Sequence, residues 1–217
     1  MKNNTAKLYR IALLAGLMTA TSHADTLFTI SGANASVLTN LTIGANFTVG
    51  GSDLIVTSLG VQDFNDDGLL FSHQVGIWAA GAGSTLASVT VGAGTVASLN
   101  SHFRYVSLSG PTVTLLAGQT YFIGAQMNGD VYSGANQLNV SALSPAALNF
   151  DSRYNSASGT FANQNADSGG VGNLRWGPAN MQFSVVPEPS TYGLIGAGAL
   201  ASVAFVRRRR KLAGKAA

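Results

Sequence analysis

The segment between residues 25 and 186 consists of short β-branched or aromatic runs separated by Gly, Asn, Ser and Asp, without any long stretch of helical spacing. Regular short strands with glycine-rich turns predict an all-β fold, an antiparallel β-sandwich. The segment is long enough to form one hydrophobic core, so we expect one domain. The chain contains no cysteine, so this domain must be stable without disulfides.

The candidate strands share this composition. They are Leu27–Ile30, Leu38–Val49, Leu54–Val61, His73–Ala79, Leu86–Val91, Phe103–Leu108, Val113–Leu116, Tyr121–Met127, Ala147–Tyr154 and Gln182–Val186. Glycine-rich pieces at 81–83 and 92–94 predict hairpin turns, and the Ser-, Gly- and Asn-rich stretch 155–173 predicts a long loop.

The positive charge of the chain lies at its two ends. The formal net charge is +3, yet residues 25–186 hold three arginines against eight aspartates, a net charge of −5. A nucleic-acid-binding face needs clustered cations along the domain, so DNA and RNA are excluded as partners.

The first 24 residues have the order of a secretory signal peptide. Three cations precede the apolar run 11–18, and small residues at Ser22 and Ala24 occupy the positions that a signal peptidase reads. The apolar run is about half of the roughly 20 residues that a membrane span needs. We therefore expect cleavage after Ala24 and a mature chain that begins at Asp25.

The last part of the chain has three segments. Pro187, Glu188 and Pro189 end the strand pattern, because prolines cannot continue a helix or a central strand. An uncharged run over 192–206 follows, predicted to form a single short hydrophobic helix in the inner membrane. A basic cluster should hold its end in the cytoplasm, and a buried core helix is the alternative. The cluster consists of Arg207, Arg208, Arg209, Arg210 and Lys211, and a tail over 212–217 completes the chain.

This order of proline motif, short helix and basic cluster resembles the PEP-CTERM sorting signal of exported bacterial proteins, over residues 187–211. The resemblance implies that an exosortase recognises Pro187, Glu188 and Pro189 and removes the helix. The protein is then expected at the cell surface or in the extracellular matrix, after a transient membrane-anchored stage.

A second resemblance covers residues 45 to 130. The pieces 59–61, 72–78, 86–88, 103–106 and 117–125, with the acidic turn through Gly68, are similar to the DUF4082-like domain of bacterial surface proteins. That resemblance implies a jelly-roll-like sandwich and supplies no catalytic residues.

The acidic turn is a candidate calcium site. Asp63, Asn65, Asp67 and Gly68 match the first half of a calcium loop, in which alternating oxygens converge and a glycine allows the sharp turn. The match fails at Gln74, where a bidentate carboxylate is required. An ordinary turn between strands is the alternative, since Asn, Asp and Gly are typical turn residues.

Two further chemistries remain open. Trp78 and Trp176 could stack on sugar rings of an extracellular polysaccharide, although most aromatic residues of a sandwich lie in its core. His73 and His102 could serve a hydrolase, but no nucleophile motif accompanies them, so we expect them to form hydrogen bonds at strand ends. We predict a non-catalytic protein with a structural or adhesive role in matrix or biofilm; a carbohydrate-binding module is the alternative, and a secreted hydrolase the third.

Overall fold

The chain folds mostly into antiparallel β-strands, with very little helix. The structure is a computed structural model, and it describes residues 25–31, 35–133, 139–143, 147–154, 161, 177–186, 196–198, 200–202 and 205. In chain order the strands are β1 Asp25–Thr26, β2 Phe28–Ser31, β3 Ala35–Val49, β4 Leu54–Gln62, β5 His73–Ala79, β6 Ala87–Val91, β7 Ser98–Asn100, β8 Phe103–Ser107, β9 Val113–Leu115, β10 Thr120–Ser133, β11 Asn139–Leu143, β12 Ala147–Tyr154 and β13 Ala179–Val185.

The described strands form two larger sheets and one small one. The first sheet has the order β1-β13-β4-β8-β7, with β9 also paired to β4, and the second has the order β12-β3-β10-β5-β6. Strands β2 and β11 form a separate pair. All of these pairings are antiparallel, so the predicted all-β, antiparallel class is confirmed.

One hydrophobic core joins the two larger sheets. Strand β4 contributes Leu59 and Val61, and the facing strands β5 and β10 contribute Ile77 and Ile123, all of them fully buried. Because side chains alternate across a strand, each sheet can turn such a row inward and leave the other face outside. Two sheets that share one hydrophobic core agree in outline with the predicted sandwich.

The outer face of the second sheet carries a row of glycines. Gly44, Gly124 and Gly76 are direct partners across β3, β10 and β5. A Cβ atom on Gly124 would lie 2.7 Å from the Phe122 ring, and one on Gly76 would lie 2.9 Å from the Trp78 ring. Aromatic rings therefore lie over the glycines and cover backbone that would otherwise be exposed.

Most strand predictions are confirmed within a few residues, and β5 and β12 have the predicted bounds. Strand β10 is longer than predicted, and β1, β7 and β11 were not predicted. The turn at 81–83 joins β5 to its neighbour β6 as expected. The hairpin prediction at 92–94 is wrong, because that connection joins β6 to β7 in the other sheet.

The chain segments on either side of the domain are described only in part. The predicted signal peptide, most of the predicted loop 155–173 and residues 187–195 lie outside the described residues. Residues 196–198, 200–202 and 205 are helical. Among the described residues, no helix is long and apolar enough to cross a membrane.

Candidate functional site

The connection from β4 to β5, residues 63–72, forms one end of the sandwich, which we call the loop end. It begins with Asp63, whose side chain is 2% exposed although it carries a charge. The Oδ2 atom of Asp63 accepts hydrogen bonds from the Nε of Arg104 at 2.6 Å and from the backbone N–H of Gly68 at 2.9 Å. Gly68 has a φ of 110°, a conformation that favours glycine. Asp63 thus closes its own loop from the inside.

Arg104 on β8 connects this loop to the neighbouring segment of chain. Its Nη1 donates to the carbonyls of Thr95 and Ala97, each at 3.1 Å, and its Nη2 donates to the carbonyl of Asp66 at 3.4 Å. With the bond to Asp63, each of its three side-chain nitrogens has an acceptor. A buried arginine with four hydrogen bonds of this kind holds two loops in fixed positions.

A second buried ion pair lies on the other sheet. Asp130 on β10 accepts hydrogen bonds from the backbone N–H groups of Leu70 at 2.8 Å and Phe71 at 3.0 Å. Its Oδ2 also lies 2.6 Å from Nε2 of His73, which is fully buried. The other ring nitrogen of His73 lies 2.8 Å from the carbonyl oxygen of Gln126. Both ring nitrogens of His73 therefore lie within hydrogen-bonding distance of an oxygen of β10.

A bulge places Asp130 where His73 can reach it. Asn128 pairs with Thr39 and Val131 pairs with Val37, so two residues of β10 stand opposite one residue of β3. The two residues of β10 in the bulge are Gly129, with a φ of 110°, and Asp130. A bulge of this kind bends the strand and changes the direction of a side chain, which brings this carboxylate to the loop end.

Between the two ion pairs lies a cleft of about 260 Å³. Its lining combines acidic, amide and apolar groups: Asp63, Phe64, Asn65, Asp67, Gly68, Leu69, Leu70, Gly94, Asp130 and Val131. Asn65 and Asp67 are exposed, whereas Asp63 and Asp130 are held by their partners in the interior. Leu70 is 73% exposed, so an apolar surface flanks the polar groups.

The predicted calcium residues lie in this loop, in different environments. Asp63 is buried against Arg104, while Asn65 and Asp67 point to the cleft and solvent. Among the described residues, no cluster of three or more His, Asp or Glu side chains could hold a metal ion. Calcium binding therefore stays a prediction, and the positive charge next to Asp63 opposes it.

The histidines form the predicted hydrogen bonds. His73 is the first residue of β5 and makes the buried contacts described above. His102 directly precedes β8 and lies on the surface. The Nδ1 atom of His102 lies 3.0 Å from both carboxylate oxygens of Asp66, and both side chains are more than a third exposed. An ion pair this exposed contributes little to stability.

Trp78 is not available for the predicted sugar platform. Trp78 is 1% exposed, because its ring packs against Phe122 at 5.6 Å and Phe161 at 4.9 Å between ring centroids. With its faces covered by protein, Trp78 offers no surface to a sugar. Trp176 lies outside the described residues, as do the proline motif 187–189 and the basic cluster 207–211.

Two residues of the loop end were not singled out in the sequence. Arg104 is one of three arginines between residues 25 and 186, and it stands between Phe103 and Tyr105 in an apolar strand. A single charge in such a run is a signal that a buried partner exists. Asp130 carries a weaker signal, because Asn128, Gly129 and Asp130 together have the composition of a turn.

The comparisons with known proteins concern the end of the chain. Residues 185–210 match the family model described as the PEP-CTERM protein-sorting motif. The match suggests an exported protein that transits the membrane and is processed by an exosortase. No curated protein and no solved structure matches this chain. The resemblance of residues 45–130 to DUF4082-like domains is not confirmed and stays a prediction.

Proposed function

We propose that this chain is an exported protein whose β domain is sorted to the cell surface or extracellular matrix, where it has a structural or adhesive, non-catalytic role. In this proposal a signal peptidase removes residues 1–24, and an exosortase acts on the tail while the helix over 192–206 anchors it. The observation that carries the proposal is the sorting-motif match, which begins at Val185, the last residue of β13. The motif thus follows the folded domain directly.

We further propose that the domain is a jelly-roll-like sandwich. The orders β1-β13-β4-β8 and β3-β10-β5-β6 support this proposal, because consecutive strands repeatedly change sheet while every pairing remains antiparallel. Two four-stranded sheets connected in this way correspond to paired Greek keys, the arrangement of a jelly roll. Strands β7, β9 and β12 and the separate pair of β2 and β11 would be additions to that frame.

The burial and mutual bonding of the ionisable side chains at the loop end support a non-catalytic role. Asp63, His73, Arg104 and Asp130 are at most 4% exposed, and each bonds to another member of this group. A general acid or base must come within hydrogen-bonding distance of its substrate. These four groups instead fix the loops at one end of the sandwich, as expected for a stable structural domain.

Mass spectrometry of the protein from its native host tests the sorting proposal. We expect a mature form that begins at Asp25 and lacks the basic cluster 207–211. A matched variant with Pro187→Ala and Pro189→Ala should retain the cluster and remain in the membrane fraction. A wild-type mature form that retains Arg207–Lys211 would contradict processing, and an intact domain found only in the cytoplasm would contradict export.

Carbohydrate binding is the second candidate, and the cleft at the loop end is the observation that favours it. Its volume is near the lower end of the range for small-molecule sites, and it sets Asn65 and Asp67 beside the apolar Leu70. A pull-down with matrix polysaccharide should lose binding in Asp67→Ala but not in Asp25→Ala, an exposed aspartate at the other end of the domain. Equal retention of both variants would argue against this site.

A further inference from the structure

Both connections to the membrane leave the domain at the same end. Asp25 pairs with Phe183, and the two strands β1 and β13 run antiparallel. The chain therefore enters β1 at the same end of the domain at which it leaves β13. Neighbouring strands are about 4.8 Å apart, so the signal peptide and the sorting motif join the domain side by side.

This end, which we call the exit end, lies opposite the loop end. Leu54, at the start of β4, pairs with Val185, whereas Val61, near the end of β4, pairs with Ala179. Strand β4 then passes directly into the loop at Asp63. A strand of this length spans about 30 Å at roughly 3.3 Å per residue, and this is the separation between the two ends.

The tether at the exit end is short. The backbone N–H of Val186 still donates a hydrogen bond to the carbonyl of Asp53, at 2.8 Å, so the folded domain continues to that residue. Residues 187–191 separate it from the apolar run that begins at Tyr192. Five residues reach at most about 18 Å even when fully extended, which keeps the exit end close to any membrane that holds the run.

Resting on the proposed membrane insertion of the tail, we propose that the exit end is a surface that lies against the bilayer before processing, with the loop end and its cleft turned away. Leu116 and Val185 are exposed apolar residues at this end, with exposed fractions of 53% and 41%. They can contact the interfacial region of a membrane without rearrangement of the core. The partner of this surface is the outer surface of the lipid bilayer.

The charge distribution indicates that the tether alone sets this orientation. Between residues 25 and 186, Arg104 is the one cation whose side chain the structure describes, and it is buried at the loop end. The exit end carries Asp25 and Asp53 instead. The described residues therefore offer no basic patch at the exit end that could attract anionic lipids, and salt should leave the orientation unchanged.

The absence of cysteine allows a direct test on the full chain. Gly51→Cys at the exit end and Gly92→Cys at the loop end form a matched pair, since both glycines are exposed and a Cβ atom on either meets nothing within 4 Å. Each variant is labelled with a fluorophore and reconstituted into phosphatidylcholine vesicles that contain a lipid with a headgroup quencher. We expect quenching at position 51 at least about twofold stronger than at 92, because the two ends are about 30 Å apart.

The outcomes separate the two proposals. A full-length control with Leu200→Asp and Phe205→Asp, which leaves the domain untouched, should abolish quenching at both positions. Vesicle association with equal quenching at 51 and 92, or stronger quenching at 92, would overturn the orientation while leaving membrane insertion intact. Failure of the wild-type chain to associate with vesicles would overturn the inserted tail and the orientation with it. If 0.5 M salt removed the difference in quenching between positions 51 and 92, the argument that the tether sets the orientation would be overturned.

Discussion

Substitution of Arg104 by Met tests whether the buried ion pair holds the loop end together. The change keeps a long apolar stem but removes the guanidinium, whose Nε lies 2.6 Å from the carboxylate of Asp63. Asp63 would keep its bond from Gly68, and the carbonyls of Thr95 and Ala97 would lose their donor. A carboxylate that is 2% exposed would then stand in the interior without its counter-charge.

The expected cost follows from that isolated charge. Removal of one partner of a buried pair typically destabilises a protein by about 3–5 kcal/mol. For a domain of this size each 1 kcal/mol lowers the melting temperature by about 2–4 °C, so Arg104→Met should melt roughly 6–20 °C below the wild type. Urea denaturation of the 25–186 domain, followed by tryptophan fluorescence, measures the free energy of unfolding directly.

Two matched variants make the result interpretable. The double variant Asp63→Leu with Arg104→Met removes both charges and should recover part of the loss, since no unpaired charge remains. Asp66→Asn removes only the carboxylate charge from the exposed contact to His102 and should change stability by less than about 1 kcal/mol. If Arg104→Met costs no more than Asp66→Asn, the carboxylate of Asp63 is accessible to water and the reasoning is wrong.

Two further pairs of substitutions test the packing. Among the described residues the Tyr105 hydroxyl is buried without a hydrogen-bond partner, so Tyr105→Phe should raise the free energy of unfolding by about 1 kcal/mol. The Tyr121 hydroxyl accepts a hydrogen bond from the Leu116 N–H, so Tyr121→Phe should lower the free energy of unfolding by a similar amount. Burial also raises the pKa of the Tyr105 phenol, so above about pH 10 this phenol ionises only in the unfolded state. Urea titrations above that pH should therefore show a larger loss of stability for the wild type than for Tyr105→Phe. Gly44→Ala should destabilise the domain by at least about 1–3 kcal/mol, because its Cβ would overlap the Ile123 carbonyl oxygen, whereas Gly83→Ala, with open space around it, should be neutral in thermal melts.

The strands that the sequence predicted well have a buried face and clear ends. Strand β5 shows this, because Val75 and Ile77 alternate with other residues and enter the core. Strand β7 has three exposed residues at a sheet edge, so nothing in its composition separates it from a loop. The end of β10 was missed for another reason. Gly129 and Asp130 look like a turn in sequence but form a bulge inside a continuing strand.

Sheet membership could not be predicted, because it depends on contacts between residues far apart in sequence. The glycine-rich segments 81–83 and 92–94 have similar compositions, yet one joins neighbouring strands and the other joins β6 to a strand of the opposite sheet. The packing on the outer face of the second sheet could not be predicted from the sequence either. Alternation predicts that Trp78 faces outward, and it does, but Phe122 and Phe161 cover it there.

The sequence predicted only part of the candidate site. The acidic turn from Asp63 to Asp67 was recognised, but its geometry was interpreted as a row of ligands, although Asp63 faces a cation 41 residues away. The partner of Asp130 is 57 residues away, across a bulge. Short motifs describe local spacing only, so they cannot show that a distant side chain already occupies an oxygen.

The two ion pairs explain how the loop end is held in a chain without cysteine. Arg104 ties the β4–β5 loop to the carbonyls of residues 95 and 97, and Asp130 ties the same loop to β10 through Leu70, Phe71 and His73. Leu69 and Gly94 add reciprocal backbone bonds between the two segments. Charge-assisted hydrogen bonds thus connect loops that a small exported domain would often join by disulfides. In the proposed tethered orientation this is the end farthest from the membrane, where fixed loops present the cleft in a constant shape.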